Sequence, residues 1–204
     1  MQLGMVAVAM GGIVTANYTW LPAALVSLLA STVPTFLRRD LRVVLPAEIN
    51  FLIVLALFLH VVGGYSGFYD TLPGWDHLTH AMSASLVATL GFVVVVALDK
   101  YVDSIFLPPL FLAFFIVMFA MSVGVVWELM EYAIDQLTGS MLQYSLNDSM
   151  IDLLFDSFGG LMVAIAGTYY LRHTTQEHFV ESLQLDEAKG RIDRAIRKRR
   201  WPHR

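Results

Sequence analysis

Asn147–Gly160 reads NDSMIDLLFDSFGG, and its three aspartates, Asp148, Asp152 and Asp156, recur at every fourth position. On a helix that spacing stacks them along one face, each about 6 Å above the last. The run that follows, LMVAIAGTYYL, is apolar enough to enter a membrane. A carboxylate carried into such a helix costs roughly 2.5–3.5 kcal/mol near the bilayer centre. Something must offset that cost. Either the rest of the chain supplies partners at the same depth, or Asp148 and Asp152 stay in the wet interface and only Asp156 is buried, hydrogen-bonded to a neighbouring helix.

Composition places the whole chain in the membrane class. Of its 204 residues 57% are hydrophobic and only 15% charged, against about 25% charged in a soluble domain, and the mean hydropathy is +0.63. No cysteine is present, so disulfides and thiolate metal sites are excluded. The net charge of −4 conceals an asymmetry: from Val43 to Leu171 there are eleven acids and one base, Lys100, whereas nine of the thirteen Lys and Arg residues lie from Arg172 onward.

Working outward from the aspartate ladder, five further apolar runs precede it. LGMVAVAMGGIVTA has no basic residue before it, which argues against a cleaved signal peptide. Asn17-Tyr18-Thr19-Trp20 reads as an interfacial turn, and LPAALVSLLASTVPTFL ends in the cluster Arg38, Arg39, Arg42. Both runs are short beside the ~20 residues an upright span needs, and a hairpin of two spans is expected. The third span starts near Pro46 and carries His60 near its end. A Gly-, Pro- and aromatic-rich loop, GGYSGFYDTLPGWD, leads to the fourth, HLTHAMSASLVATLGFVVVVAL. The fifth, LPPLFLAFFIVMFAMSVGVVW, continues into ELMEYAIDQL without a break, and TGSMLQYSLN joins it to the sixth.

The expected fold is therefore all-α: a polytopic bundle of about six transmembrane helices over residues 1–172, followed by a cytoplasmic amphipathic, basic tail over residues 173–204. The basic residues fall on alternate loops, so one side of the membrane collects them all. The positive-inside tendency makes that side, with both termini, cytoplasmic, in the cell (inner or plasma) membrane.

That topology sends His60, Asp76, His77, His80, Glu128, Glu131, Asp135, Asp148, Asp152 and Asp156 to the outer ends of spans three to six. Asp76 and His80 lie one turn apart in DHLTH, and Glu128, Glu131 and Asp135 fall at i, i+3 and i+7, again one face. Scattered loop acids would not respect helical spacing three times. Seven of these groups are carboxylates with no Lys or Arg on their side. Crowded carboxylates at low dielectric stay ionised only if a cation compensates them, so either several are protonated or cations occupy the site. Carboxylate-rich ligand sets suit Mg²⁺, Ca²⁺ or Mn²⁺, while His60, His77 and His80 favour Zn²⁺ or Fe²⁺. The metal set expected is Asp76, His80, Glu128, Asp148, Asp152 and Asp156, with Glu128, Glu131 and His80 as the catalytic groups. A packed, hydrogen-bonded imidazole is the plainer reading of His60.

PxxINF at Pro46–Phe51, then YDTLPGWDHLTHAMSA, WELMEYAIDQ and NDSMIDLLFDSFGG in that order resemble the YjdF-type integral membrane proteins, with a more distant likeness to VanZ-type proteins. The resemblance covers about Pro46 to Gly167. It implies a six-span inner-membrane protein with a shared polar centre containing Asp76, His80, Glu128, Glu131, Asp148, Asp152 and Asp156, and it supplies no substrate.

Other chemistries are set aside on the residues. The ladder is spaced differently from the aspartate-rich motif of membrane prenyltransferases, and no second such motif is present. HExxH is missing. A phosphatase clamp of Lys and Arg would need cations that the outer side lacks. Gly159-Gly160 is no phosphate loop and is expected to let helices approach closely. Ser83, Ser85 and Ser157 have no triad context. In the tail, Thr174 with Glu177 forms a candidate capping box, Phe179, Leu183, Ala188, Ile192 and Ile196 make an apolar stripe, and RAIRKRRWPHR ends the chain. That combination favours anionic lipid at the inner surface, at ~1 kcal/mol per basic residue; no nucleic acid is expected. Three function classes remain: a divalent-metal-dependent enzyme acting on a lipid or lipid-linked group, a cation or proton transporter, and a non-catalytic scaffold.

Overall fold

A computed structural model describes residues 1–14, 21–101, 107–187, 189–190 and 194. The described residues form α1 (Gln2–Val14), α2 (Leu21–Ala30), α3 (Val33–Phe36) with a π-helical turn at Leu37–Leu41, α4 (Ala47–Ser66), α5 (Phe68–Thr71), α6 (Trp75–Tyr101), α7 (Pro109–Thr138), α8 (Leu146–His173) and α9 (Gln176–Ser182). The boundaries have local causes. Pro46 and Pro108 precede α4 and α7 with φ near −55°, already set for a helix start. Gly67 and Gly139 end the same helices at φ +68° and +72°, in left-handed conformations that favour glycine. Ser145 caps α8 by accepting the Asp148 N–H at 3.1 Å.

Among the described residues four helices, α4, α6, α7 and α8, are long and apolar enough to cross a membrane. The chain is an all-α, multi-pass membrane protein. At 13 residues α1 is about 20 Å long, short of the ~30 Å hydrocarbon core. It packs with α2 and α4 through Met5, Ala9, Ala24 and Val61. The interfacial turn expected at Asn17–Trp20 lies outside the described residues. Helix α4 runs on through Gly63 and Gly64 instead of stopping at the loop read from the sequence. Gly63 belongs in the helix because the Trp75 indole packs where its Cβ would be.

α8 packs against both α6 and α7, and α6 packs in addition against α4 and α9. The glycine pair of α8 makes its two contacts possible. A Cβ on Gly159 would meet the Ala81 carbonyl of α6 at 2.6 Å, and one on Gly160 would meet Ala120 of α7 at 3.0 Å. The two neighbouring positions thus face the two neighbouring helices, the close approach expected of small residues in membranes. α6 and α8 run parallel, and α7 and α4 run the opposite way. At the end where α6 and α8 finish, Ala88, Phe92, Val96, Leu112, Ile116 and Ala164 fill the interior. Leu110, Phe114, Val126, Leu154, Phe158 and Ile165 point outward, as lipid-facing side chains do.

α9 folds back onto this apolar half. Phe179, Val180 and Leu183 are buried in the core, the Phe92 and Phe179 rings lie 5.4 Å apart, and the Val44 N–H donates to the Leu183 carbonyl at 3.0 Å. Its cap is Thr175, whose hydroxyl accepts from the His178 N–H. Thr174, expected to cap it, instead terminates α8. Phe179 and Leu183 of the expected stripe are thus placed in the core; the stripe's Ala188, Ile192 and Ile196 lie outside the described residues.

Candidate metal centre at one end of the bundle

The acids and imidazoles collect at the opposite end from Lys100 and Arg172. Because α6 and α8 run parallel, residues three and four apart on one helix meet residues four apart on the other. His77 Nδ1–H donates to Asp152 Oδ1 at 2.7 Å, and one turn deeper His80 Nδ1 lies 3.3 Å from Asp156 Oδ1. The other ring nitrogen of His80, Nε2, faces Asp76 Oδ1 at 3.8 Å and Glu128 Oε1 at 3.9 Å. One imidazole therefore stands among carboxylates from α6, α7 and α8. His80, Glu128, Asp152 and Asp156 are all buried.

Two sets of three groups bring one ligand atom each to within 4.8 Å of one another: Asp76, His80 and Asp152, and His77, Asp148 and Asp152. Asp152 belongs to both. Asp156 Oδ2 and Glu128 Oε1 are buried with no hydrogen-bond partner among the described residues, an arrangement that in a dry interior costs far more than in water.

A cavity of about 110 Å³ lies beside His80, lined by His60, Tyr69, Asp76, Thr79, Glu131 and Asp156 at its polar end and by Ala84, Val87, Ala120 and Val123 towards the membrane interior. Nearer the end of the bundle, a polar pocket of about 280 Å³ is lined by Asp70, Trp75, Asp76, His77, Tyr144 and Asp148. Tyr69 lies against both. Its hydroxyl donates to Thr79 Oγ1 at 3.3 Å, so it accepts from His60 Nδ1–H at 2.8 Å, and Thr79 in turn donates to the Asp76 carbonyl at 2.8 Å. Burial holds the Tyr69 phenol well above its ordinary pKa, which keeps it a neutral donor. His60 is a packed residue of this wall, edge-on to Tyr69 and Trp127.

The acids of α7 divide. Glu131 lines the cavity and accepts from Trp127 Nε1–H at 2.8 Å. Glu128 borders a separate groove between α7 and α8 beside Leu129, Tyr132 and Met150, and turns Oε1 towards His80. Asp135 does not join the centre. It accepts from the Ser140 hydroxyl and the Leu142 and Gln143 N–H groups at 2.7–2.9 Å, clamping the 139–145 connection onto the helix end. At seven residues beyond Glu128 it faces the same way, but about 10 Å further along the axis.

Sequence reasoning missed Gln143. Its side-chain amide donates at 3.0 Å both to Glu128 Oε2 and to the Glu128 carbonyl. It also gave no partner to His77, whose ring stacks on Phe155 at 5.2 Å.

The family model described as predicted membrane protein (DUF2238) matches residues 1–173, and the chain belongs to that family. This agrees with the resemblance carried by the WDHLTH, WELMEY and aspartate-ladder motifs, and extends it over α1 and α2. No curated protein and no solved structure matches the chain.

Proposed function

We propose that this family member is a divalent-metal-dependent membrane enzyme acting on a lipid or lipid-linked group from the outer side of the cell membrane. One juxtaposition carries the reading. The ligand atoms of Asp76, His80 and Asp152 lie within 4.8 Å of one another, flanked by partnerless buried oxygens of Asp156 and Glu128. In this scheme Asp76, His80 and Asp152 hold the cation. Asp156 accepts from His80 Nδ1–H, which fixes the tautomer and leaves Nε2 as the ligand, the role carboxylates commonly play behind a metal-bound histidine. Glu128 Oε1 completes the charge compensation at Nε2. The cation, when bound, supplies Lewis acidity or an activated water. Glu131, at the cavity wall and held by Trp127, is the general base.

Size supports a small reacting group. The cavity measures about 110 Å³, so the headgroup of a lipid would approach from the polar pocket above. Sidedness follows from the basic residues: Lys100 and Arg172 lie at the other end, which would face the cytoplasm and its anionic lipid.

A second reading, a proton or cation carrier, is favoured by the two successive imidazole–carboxylate pairs, His77–Asp152 and His80–Asp156. Against it stands the interior below the centre, where Ala88, Val96 and Ile116 are wholly buried in an apolar cluster.

Metal content of the purified protein tests the proposal. Wild type is expected to retain Mg²⁺, Mn²⁺ or Zn²⁺ that Asp152→Ala loses. Added metal is expected to raise the wild-type thermal midpoint by mass action, and a chelator to lower it. If a chelator changes nothing and Asp152→Asn stabilises the protein, the acids are protonated or serve packing, and the metal reading is wrong.

A further inference from the structure

We propose that Asp152 bridges two divalent cations, the second held by His77 and Asp148; this rests on the reading of the centre as a metal site. Asp152 is the common member of both ligand sets. It lies between them because α8 places it one turn below Asp148 and one turn above Asp156, while α6 offers Asp76 and His77 as neighbours and His80 one turn on. A carboxylate has two oxygens and binds two metals readily. Paired ions of this kind sit about 3.5–4 Å apart.

Three observations bear on the second position. His77 Nδ1 and Asp152 Oδ1 are 2.7 Å apart, a hydrogen-bond distance; adjacent donors around one ion with bonds of ~2.0–2.2 Å lie about 3–3.5 Å apart, so a small separation of the pair admits a cation. On binding, the Nδ1 proton that His77 now donates to Asp152 moves to Nε2, leaving a neutral imidazole with Nδ1 as the ligand. Charge balance is the second argument. Asp76, Asp148 and Asp152 in the ligand sets, with Asp156 and Glu128 against His80, make five carboxylates, and the sequence supplies Lys100 alone as a Lys or Arg between Val43 and Leu171. Ligating imidazoles are neutral, so one divalent cation would leave three of these charges uncompensated and two leave one. Asp156 Oδ2 and Glu128 Oε1, buried with no hydrogen-bond partner among the described residues, belong to carboxylates beside His80 at the inner position. Access is the third. The polar pocket above the centre is lined by His77, Asp148 and Asp76, whereas His80 faces the inner cavity. The two ions would therefore have unlike surroundings, the outer one exchanging with solvent and the inner one enclosed.

The probe is Mn²⁺, added to full-length protein in detergent after chelation, with bound metal counted at saturation and the bound spectrum read by electron paramagnetic resonance. Two Mn²⁺ per chain are expected, with the broadened spectrum of a magnetically coupled pair. His77→Ala and Asp148→Asn should each reduce the count to one and restore the pattern of an isolated ion, and Asp152→Asn should reduce it below one. Thermal midpoint and monodisperse elution establish folding, and Asp148→Asn decides the matter if His77→Ala does not fold. One Mn²⁺ in the wild type, unchanged by either variant, would overturn the pair and leave the single-cation centre standing. Two ions without magnetic coupling would overturn the shared bridge. No bound Mn²⁺ would overturn both proposals.

Discussion

Gln143→Ala is the perturbation that most directly tests how the centre is held. The Gln143 amide reaches Glu128 twice, at the carboxylate Oε2 and at the main-chain carbonyl, both at 3.0 Å. Glu128 is 7% exposed and its other oxygen, Oε1, already lacks a hydrogen bond. The substitution would therefore leave an acidic side chain buried with neither oxygen hydrogen-bonded. A hydrogen bond to a charged group contributes about 1.5–3 kcal/mol, and the neutral one to the carbonyl about 1 kcal/mol. A total loss of about 3 kcal/mol, at ~2–4 °C per kcal/mol for a chain of this size, lowers the thermal midpoint by about 6–12 °C. Circular dichroism of the detergent-solubilised protein during a thermal scan measures it. The sharper test is the cycle with Glu128→Gln. If Gln143 acts by satisfying the buried carboxylate, its loss should cost about 1–2 kcal/mol less when residue 128 is neutral. Equal costs in the two backgrounds, or a single-variant shift of less than 1 °C, would refute the coupling and reduce Gln143 to a loop residue.

Two further outcomes follow from the same geometry. Gly124→Ala should destabilise despite a gain of up to ~1 kcal/mol in helix propensity, because the new Cβ would collide with Asp156 Oδ2. Overpacking of that kind costs about 1–3 kcal/mol, and the displaced Asp156 should take its partner His80 with it; a midpoint at or above wild type would mean that Asp156 is free to move. At the mouth of the centre, burial and the hydrogen bond to Asp70 Oδ1 at 2.9 Å push the Tyr144 phenol up to about 12, from ~10 in the unfolded chain. The folded state thus holds this proton more tightly, so its contribution is complete below pH ~10 and is lost as pH rises towards 12. Wild-type stability should fall more steeply than that of Tyr144→Phe across that interval, and parallel curves would remove Tyr144 from the loop's support.

How much of this could be read in advance depends on the range of the signal. The spacing of Asp148, Asp152 and Asp156 states directly that they share a face, and DHLTH states the same for Asp76 and His80; both are properties of one helix and survive into the structure. Pairing across helices is different. The sequence places His77 among the imidazoles at the outer end but assigns it no partner, because nothing in the α6 sequence says that α8 passes on its side. Asp135 had the correct spacing from Glu128, yet periodicity reports direction around an axis and is silent on how far along it the centre ends. Gln143 and Tyr69 come from connections, whose side chains acquire partners only after the helices are placed. The short α1 had the composition of a span without the length, and the docking of Phe179 on Phe92 belongs to a stretch whose basic residues drew the reading towards the membrane surface.

The glycines and the acids are better understood together than as separate features. Gly159 brings α8 against the Ala81 carbonyl of α6, Gly160 brings it against Ala120 of α7, and Gly124 leaves room on α7 for Asp156 itself. Three helices drawn that close leave little room between them for long side chains. Aspartate, the shorter acid, occupies α8 at Asp152 and Asp156, and the longer imidazoles of His77 and His80 reach in from α6. Glutamate appears on α7, where Glu128 has to reach His80. The same approach excludes water from the groups it assembles, which makes their charges costly to leave unpaired and strengthens any cation bound among them. Close packing and the need for a compensating charge thus have one cause. A substitution that widens the contact, such as a larger residue at Gly159, should weaken cation binding even though it alters no ligand.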